Sequence, residues 1–452
     1  MKLKYILILV AGIAAITGCE KRLDLAPISA VGDNGFYKNG EEVEGGVIAI
    51  YDGLQAVPLR EFALTEMRSD NSKSKSREGD WAQFESFDVA TTNLAINSYW
   101  AANYNVIFRA NKVLENLDSV DIEADRNQFE GEARFTRALA HFNLVRAYGD
   151  VPLIDKVIIP SENDYFSRVA VADVLAFIDA DFTAAASLLP TTNDYGRATS
   201  GAANAMLAKV KLTRGDYPGA LGILEPMVNG TEYALEDNYR DVFYTEGNSE
   251  VIFAIPYLND DANESQDFSY EMTAFGVRAG LNYLTDDFKT TLNVATDTLR
   301  APVIVSPNNT NECGKYLTSS GDTRRCGNDW IVIRYADVLL MYAEAIIGEA
   351  DQTADANAIG VYNRVRARAG QSQLVVGTDV LLKQALSDER RIELAFENHR
   401  FYDLVRFGYA NSVLSNFATS VGYTFEPSDL LLPIPQAEIN VSEGKLTQNP
   451  GY

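Results

Sequence analysis

The sequence predicts a mainly α-helical protein in which tetratricopeptide-like helix pairs alternate with irregular polar stretches that carry short β pieces. Three observations predict it. Apolar residues recur at helical spacing in eight segments: Ser98 to Leu117, Gln128 to Tyr148, Val171 to Leu189, Ser200 to Arg214, Pro218 to Val228, Tyr335 to Ile347, Ala354 to Ala369 and Leu381 to Glu397. The small-residue helix Gly201 to Arg214 runs into Gly215-Asp216-Tyr217-Pro218-Gly219-Ala220, a turn that lets one helix fold back on its neighbour, as in stacked helical repeats. Loop-rich insertions at about 60–97 and 250–328 are too long to be simple connections.

At the amino end, Lys2 and Lys4 precede the apolar run Tyr5 to Ile16 and the tetrad Ile16-Thr17-Gly18-Cys19. A charged start, a short apolar stretch and small residues before the cut describe a cleaved secretion signal, too short to span a bilayer. The cysteine at the first mature position makes the tetrad similar to a bacterial lipobox. Residues 1–18 are therefore expected to be removed and Cys19 to carry lipid, with two or more acyl chains giving a stable anchor. The remainder, 19–452, shows no Pro/Ser-rich linker and no abrupt change of composition. It reads as one body, with a helical scaffold at about 98–230 and 330–410 and the two insertions set into it.

Formal net charge is −24 over the full sequence and −26 once Lys2 and Lys4 have left with the signal. Such a surface repels nucleic acid and polyanions, which sets aside DNA, RNA and strongly acidic polysaccharides as first candidates for a partner. After Cys19 only Cys313 and Cys326 remain, flanking a Gly/Ser/Thr-rich loop in an exported chain. A disulfide is expected there rather than free thiols or a redox pair, and in the chain-entropy model it stabilises by roughly 3 kcal/mol.

The C-terminal third is more specific. Trp330-Ile331-Val332-Ile333-Arg334-Tyr335-Ala336-Asp337 through Tyr342-Ala343-Glu344-Ala345 precedes Asn363-Arg364-Val365-Arg366-Ala367-Arg368-Ala369-Gly370. Then follow Glu389-Arg390-Arg391-Ile392-Glu393-Leu394-Ala395-Phe396-Glu397, Arg400-Phe401-Tyr402-Asp403-Leu404-Val405-Arg406, Leu432-Pro433-Ile434-Pro435 and Gln448-Asn449-Pro450-Gly451-Tyr452. With Arg109-Ala110-Asn111 and Tyr148-Gly149-Asp150-Val151-Pro152-Leu153 earlier, this series resembles the SusD/RagB family of outer-membrane nutrient-binding lipoproteins of Bacteroidetes. The resemblance runs from the lipobox to the last residue. It implies tetratricopeptide-like units packed against an irregular ligand-binding half. It also implies a TonB-dependent transporter of the SusC type as partner, and capture of oligosaccharides, or in some members peptides, without catalysis.

The residues agree with a non-enzymatic reading. No H-E-x-x-H, G-x-S-x-G or P-loop is present, and the two histidines, His141 and His399, lack partner motifs. Glu389, Glu393 and Glu397 share one helix face with Arg390, Arg391 and Arg400 nearby, which reads as structural ion pairing rather than a catalytic carboxylate pair. No cofactor is expected; Asn259-Asp260-Asp261-Ala262-Asn263-Glu264 offers oxygen ligands for a structural calcium but lacks EF-hand spacing.

Sugar capture needs aromatic faces for the C–H side of the rings and polar groups to pair with hydroxyls. Within the first insertion Trp81 is the candidate platform, its alternative being an anchor that folds the loop onto the body. Asp70, Asn71, Arg77 and Asn93 are the candidate polar contacts beside it. The second insertion contributes Tyr270, Phe275 and Tyr283, while Trp100 and Trp330 open helical or strand motifs and read as core. The expected function is therefore cell-surface capture of oligosaccharides from a neutral polysaccharide, at the outer membrane and facing outward. Peptide capture is the alternative, favoured by a modest tryptophan count and the Asn/Asp-rich second insertion.

Overall fold

The computed structural model describes residues 36–159, 161–275, 280–293 and 295–452, so the signal, the lipobox and Cys19 lie outside the described residues. The scaffold starts earlier than the periodic segments indicate. It comprises α1 (Gly40–Gln55), α2 (Leu94–Glu115), α3 (Glu123–Tyr148), α4 (Val171–Leu188), α5 (Ser200–Thr213) and α6 (Tyr217–Asn229), each packed on the next. Asn39, Asn93, Thr199 and Asp216 cap α1, α2, α5 and α6 by accepting from first-turn backbone N–H groups that have no partner inside the helix. The facing stripes are apolar: Val43, Val47, Ile50 and Leu54 on α1, and the small Ala202, Ala203 and Ala205 on α5, where neighbours can approach closely.

Three two-stranded antiparallel sheets tie distant segments together: β1 (Ser72–Lys73) with β3 (Tyr283–Leu284), β2 (Val251–Ile255) with β4 (Trp330–Arg334), and β5 (Gln352–Thr353) with β6 (Leu381–Leu382). The β2–β4 pair closes the second insertion as an excursion. Immediately after β4, α7 (Tyr335–Ile347) packs on α6, so the stack resumes where it left off and continues into α8 (Ala356–Arg368) and α9 (Lys383–Glu393). α10 (Arg400–Phe407) and α11 (Ala410–Val421) follow and cover a second, smaller core of Phe87, Phe401, Leu404, Leu414 and Phe425. The main core is continuous from α1 through both insertions, with Trp100 and Trp330 buried in it as expected. Gly149 ends α3 at φ +74, where a Cβ would stand 2.8 Å from Leu431; the Tyr148-Gly149-Asp150 motif is thus a tight exit from the helix. Among the described residues no helix is long and apolar enough to cross a membrane.

Two expectations are corrected here. Cys313 and Cys326 are free thiols rather than a disulfide. Their backbones belong to different bridges, Cys313 to Val305 and Cys326 to Gln266, so the intervening loop does not close on itself. The first insertion is also not an open loop. Residues 61 to 72 are buried throughout, between short helices at Pro58–Leu64 and Gly79–Glu85.

Candidate functional site

The two insertions meet. β1 and β3 pair Ser72 with Leu284 and Lys73 with Tyr283, and the contact extends on both sides. Asn282 donates to the Phe62 carbonyl, Ser72 Oγ donates to Asn282 Oδ1 (2.8 Å), and Thr285 Oγ1 donates to the Asp70 carbonyl (2.7 Å). Arg391, from α9, clamps the seam: Nε donates to Asn71 Oδ1 (2.9 Å) and Nη2 to the Asp70 carbonyl (3.0 Å) and Asp287 Oδ2 (2.6 Å). A single face thus combines stretches that lie far apart in the chain. Sequence reasoning gave no role to Thr285 and did not place Asn282 or the ion-pairing Arg391 at this seam, because their partners there come together only when both insertions are present.

Most of the expected polar contacts belong to this framework rather than to a ligand surface. Asp70 is buried and its two oxygens accept from Arg400 Nε (2.8 Å) and Nη2 (2.9 Å). Burial works to raise its carboxyl, but Arg400, then Arg391, outweigh burial and hold it below the ordinary aspartate range. Asn71 is fully buried between Arg391 and Glu66. Asn93 is the α2 cap, accepting from Ala95 N and donating to the Asp80 carbonyl and Gln83 Oε1. Tyr283 is buried, with its hydroxyl directed to Glu312. In each case a side chain able to bond a sugar is already satisfied inside the protein.

Four of the expected residues remain at the surface. Trp81 is half-buried against the core, with ring centroids 5.7 Å from Phe62 and 5.9 Å from Phe84. It therefore anchors its loop while keeping part of the indole outside. Arg77 is exposed, 5.7 Å from the ring of Tyr423. Tyr270 is half-buried under Arg324, 5.2 Å away, and Phe275 is 75% exposed. Phe62 touches both Trp81 and Phe268, at 5.7 and 6.0 Å, which brings the Trp81 and Tyr270 segments alongside one another.

The calcium expectation does not fit. Asp260 accepts from the backbone of Gly321 (2.9 Å) and Asp322 (2.7 Å), and Asp261 from Asn263 (2.8 Å) and Glu264 (3.0 Å), so these carboxylates organise turns. Among the described residues no cluster of three or more His, Cys, Asp or Glu side chains is placed to hold a metal.

Glu389 and Glu393 on α9, and Glu397 just beyond its end, are consumed by ion pairs, but not with the arginines beside them in sequence: Arg390 pairs with Asp337 and Asp403, Arg391 with Asp70 and Asp287, and Arg400 with Asp70. Arg334 contacts Glu250 (2.6 Å), Glu393 (2.7 Å) and Glu397 (2.7 Å); Arg300 contacts Glu389 (2.5 Å) and Glu393 (3.1 Å); Lys315 contacts Glu397 (2.6 Å). The histidines are buried and held neutral. Burial lowers His141 to about 4, with Nδ1 3.0 Å from the Arg137 carbonyl, and lowers His399 to about 3 beside Lys209.

Behind the seam, Glu66 is buried with no cation in ion-pair contact among the described residues, accepting from Asn71 Nδ2 (3.3 Å) and Asn398 N (3.2 Å). Burial pushes its carboxyl up to about 7 from 4.5, against the weaker pull of the Asn71 bond. With the folded value above the unfolded one, its stabilising contribution is complete below pH 4.5 and lost as pH rises through 7; the full difference is about 3 kcal/mol. Denaturation midpoints of wild type and Glu66→Gln are expected to diverge between pH 5 and 8, with the wild type losing more. Parallel curves would mean that Glu66 is not the source.

Comparisons with known proteins follow the same outline. A model described as the SusD family matches residues 305–452, and one described as starch-binding, associating with outer membrane, matches residues 37–212. The SusD-like protein P2 of Formosa agariphila is 26% identical, covering 99% of this chain and 100% of its own. A SusD-like protein of Bacteroides ovatus is 25% identical over 92% of this chain and 85% of its own. Among solved structures, a laminarin-binding SusD-like protein is 28% identical with a TM-score of 0.77, covering 92% of this chain and all of that one. The fold recurs in surface glycan-binding protein A from Bacteroides thetaiotaomicron, solved with laminarihexaose (TM-score 0.72, 22% identity, 90% of this chain and 99% of that one). With both ends of its body matched by family models and its helical stack shared with these structures, the chain belongs to the SusD/RagB family.

Proposed function

We propose that this protein is a lipid-anchored, outward-facing carbohydrate-binding protein of the outer membrane that captures oligosaccharides from a neutral polysaccharide and passes them to a SusC-type TonB-dependent transporter, without catalysis. The observation that carries this reading is the seam of β1 and β3, which joins the insertion bearing the part-open indole of Trp81 to the insertion bearing Tyr270 and the exposed Phe275. Rigid aromatic platforms give contact area at low entropic cost, and several modest contacts allow release to a channel. The laminarin-binding relative supports a sugar over a peptide, and a β-glucan as the first sugar to try.

Affinity electrophoresis of the body from Glu20 onward, in gels containing β-glucans, α-glucans, fructans, mannans or xylans, tests the proposal. One neutral polymer is expected to retard the protein without being degraded. Heat of binding from peptide mixtures alone would displace it in favour of peptide capture. Trp81→Ala is expected to lower affinity for the retained polymer about tenfold, equivalent to about 1.4 kcal/mol. Unchanged affinity would remove Trp81 from the contact surface and leave it a loop anchor. Co-purification of a transporter from gently solubilised outer membrane is expected for wild type and weakened for Cys19→Ala.

A further inference from the structure

Tyr195 lies in the turn between α4 and α5, away from both insertions in sequence, and is 43% exposed. A tyrosine ring with that much surface is usually mobile, yet this one is fixed from two sides. Its hydroxyl donates to Asp329 Oδ2 (2.5 Å), while Asp329 Oδ1 accepts from Tyr257 N (3.0 Å) at the entrance to β4. The next residue, Gly196, has φ +85 and sits so close to Pro256 that a Cβ would stand 2.7 Å from its ring. Only glycine permits that approach, and the approach sets the direction in which Tyr195 points.

Two clefts meet at this ring. One, of about 130 Å³, is bordered by Asn259, Ser319, Asn328 and Asp329. The other, of about 220 Å³, is bordered by Ile48, Asp52, Gln55 and Glu264. Tyr195 lines both. The side chains of Asn259, Ser319, Asn328 and Gln55 are bonded within the protein, but the part-exposed carboxylates of Asp329 and Glu264 and the exposed Glu246 keep lone pairs to spare, so beside a fixed aromatic ring they offer a sugar a flat face for its C–H side and acceptors for its hydroxyls.

The charges choose among sugars. Asp52, Glu246, Glu264 and Asp329 border the clefts, whereas the cation there, Arg197, is already bonded to Glu132 (2.7 Å) and Glu44 (3.3 Å). Asp52 is paired with Arg109, but a uronate or sulfate ester would still meet Glu246, Glu264 and Asp329 with no unpaired cation among the described residues that line the clefts, so a neutral glycan fits and an anionic one does not.

We infer that Tyr195 and its flanking clefts form a second carbohydrate-contact site, where the helical scaffold meets the second insertion and lined by none of Trp81, Tyr270 and Phe275, for neutral sugar residues of the same polymer. The inference rests on the carbohydrate reading above. A second weak site on one body raises retention of a long polymer by increasing the local concentration of binding units, with little effect on an oligosaccharide too short to reach both.

The test uses the neutral polysaccharides of the gel screen, with alginate as an anionic polymer, and compares wild type, Tyr195→Ala and Tyr195→Phe. Thermal midpoints confirm that each variant is folded. Tyr195→Ala is expected to reduce retention by the polymer that retards wild type about tenfold, with Tyr195→Phe, which keeps the ring but loses the bond to Asp329, between the two. Retention of Tyr195→Ala equal to wild type overturns the second site while leaving the carbohydrate reading intact. Alginate retention that depends on Tyr195 overturns the neutral assignment. A wild type retarded by none of the neutral polymers overturns both readings together.

Discussion

Replacing Arg334 by alanine is expected to destabilise the fold by about 3–5 kcal/mol, the range for removing one partner of a buried ion pair. Arg334 is the centre of a connected network of five carboxylates (Glu250, Asp297, Glu389, Glu393, Glu397) and five cations (Arg300, Lys315, Arg334, Arg366, Arg368). The charges balance, so deleting one guanidinium leaves a net negative charge in the interior. Arg334→Lys restores the charge but not the planar fork that reaches three carboxylates, and should recover only part of the loss. Urea midpoints at pH 7 check both variants.

The pH dependence carries the sign. In wild type, burial opposes ionisation of Glu393 and Glu397, but Arg368 and Arg334 respectively lead the charges that hold them below the usual glutamate range. Their stabilising contribution is therefore present above about pH 4.5, the ordinary glutamate value, and lost as pH falls through the depressed values. Without Arg334 those carboxyls shift upward and protonate sooner, which relieves the buried charge. The gap between wild type and Arg334→Ala should narrow as pH is lowered from 7 to 4. A gap that stays constant or widens would show that lost packing, not uncompensated charge, is responsible.

Asp70→Ala is expected to be comparably costly, again about 3–5 kcal/mol. Asp70 receives both forks of Arg400 and a contact from Arg391 at 3.0 Å. Arg391 would keep Asp287, but among the described residues Arg400 would keep only the Ser387 hydroxyl at 3.4 Å as a hydrogen-bond partner. Because these guanidiniums join α9 and α10 to the seam between the insertions, the loss should appear first as a lowered unfolding midpoint. Glycan affinity of the folded fraction should stay within about threefold of wild type, under 1 kcal/mol. If instead affinity collapses while the midpoint holds, Asp70 contacts ligand directly and the framework role assigned to it is wrong.

The contrast between Asp70 and Trp81 shows where sequence reasoning stops. Both sit in the first insertion and both have chemistry suited to sugar. An aspartate is a ligand contact or half of an ion pair depending on what stands opposite, and its partners, Arg391 and Arg400, are more than three hundred residues away. Asn71 was absorbed into the framework in the same way by Arg391, whereas Asn93 caps α2 and Tyr283 is directed to Glu312, both through partners much nearer in the chain. Cys313 and Cys326 show a related limit: proximity along the chain suggested a bond, while their separate bridges to Val305 and Gln266 set the backbone path.

What the sequence determined by itself is the local and periodic part. The scaffold helices α2 to α9 follow from apolar spacing because a helix is built from contacts within four residues, and the ordered motifs of the C-terminal third point to the family. That Glu389, Glu393 and Glu397 serve ion pairs was legible too, but their cations were not, because Arg300, Lys315, Arg334, Arg366 and Arg368 come from other parts of the chain. α1 carries its stripe at Val43, Val47, Ile50 and Leu54 but was passed over between the export signal and the first insertion. Only the tertiary structure decided that the two insertions are one face, that most of their polar residues hold it together, and that Tyr195 is fixed between two clefts. Those outcomes depend on which surfaces meet after the stack closes through β2 and β4, and pairings between residues so far apart leave no periodic trace in the chain.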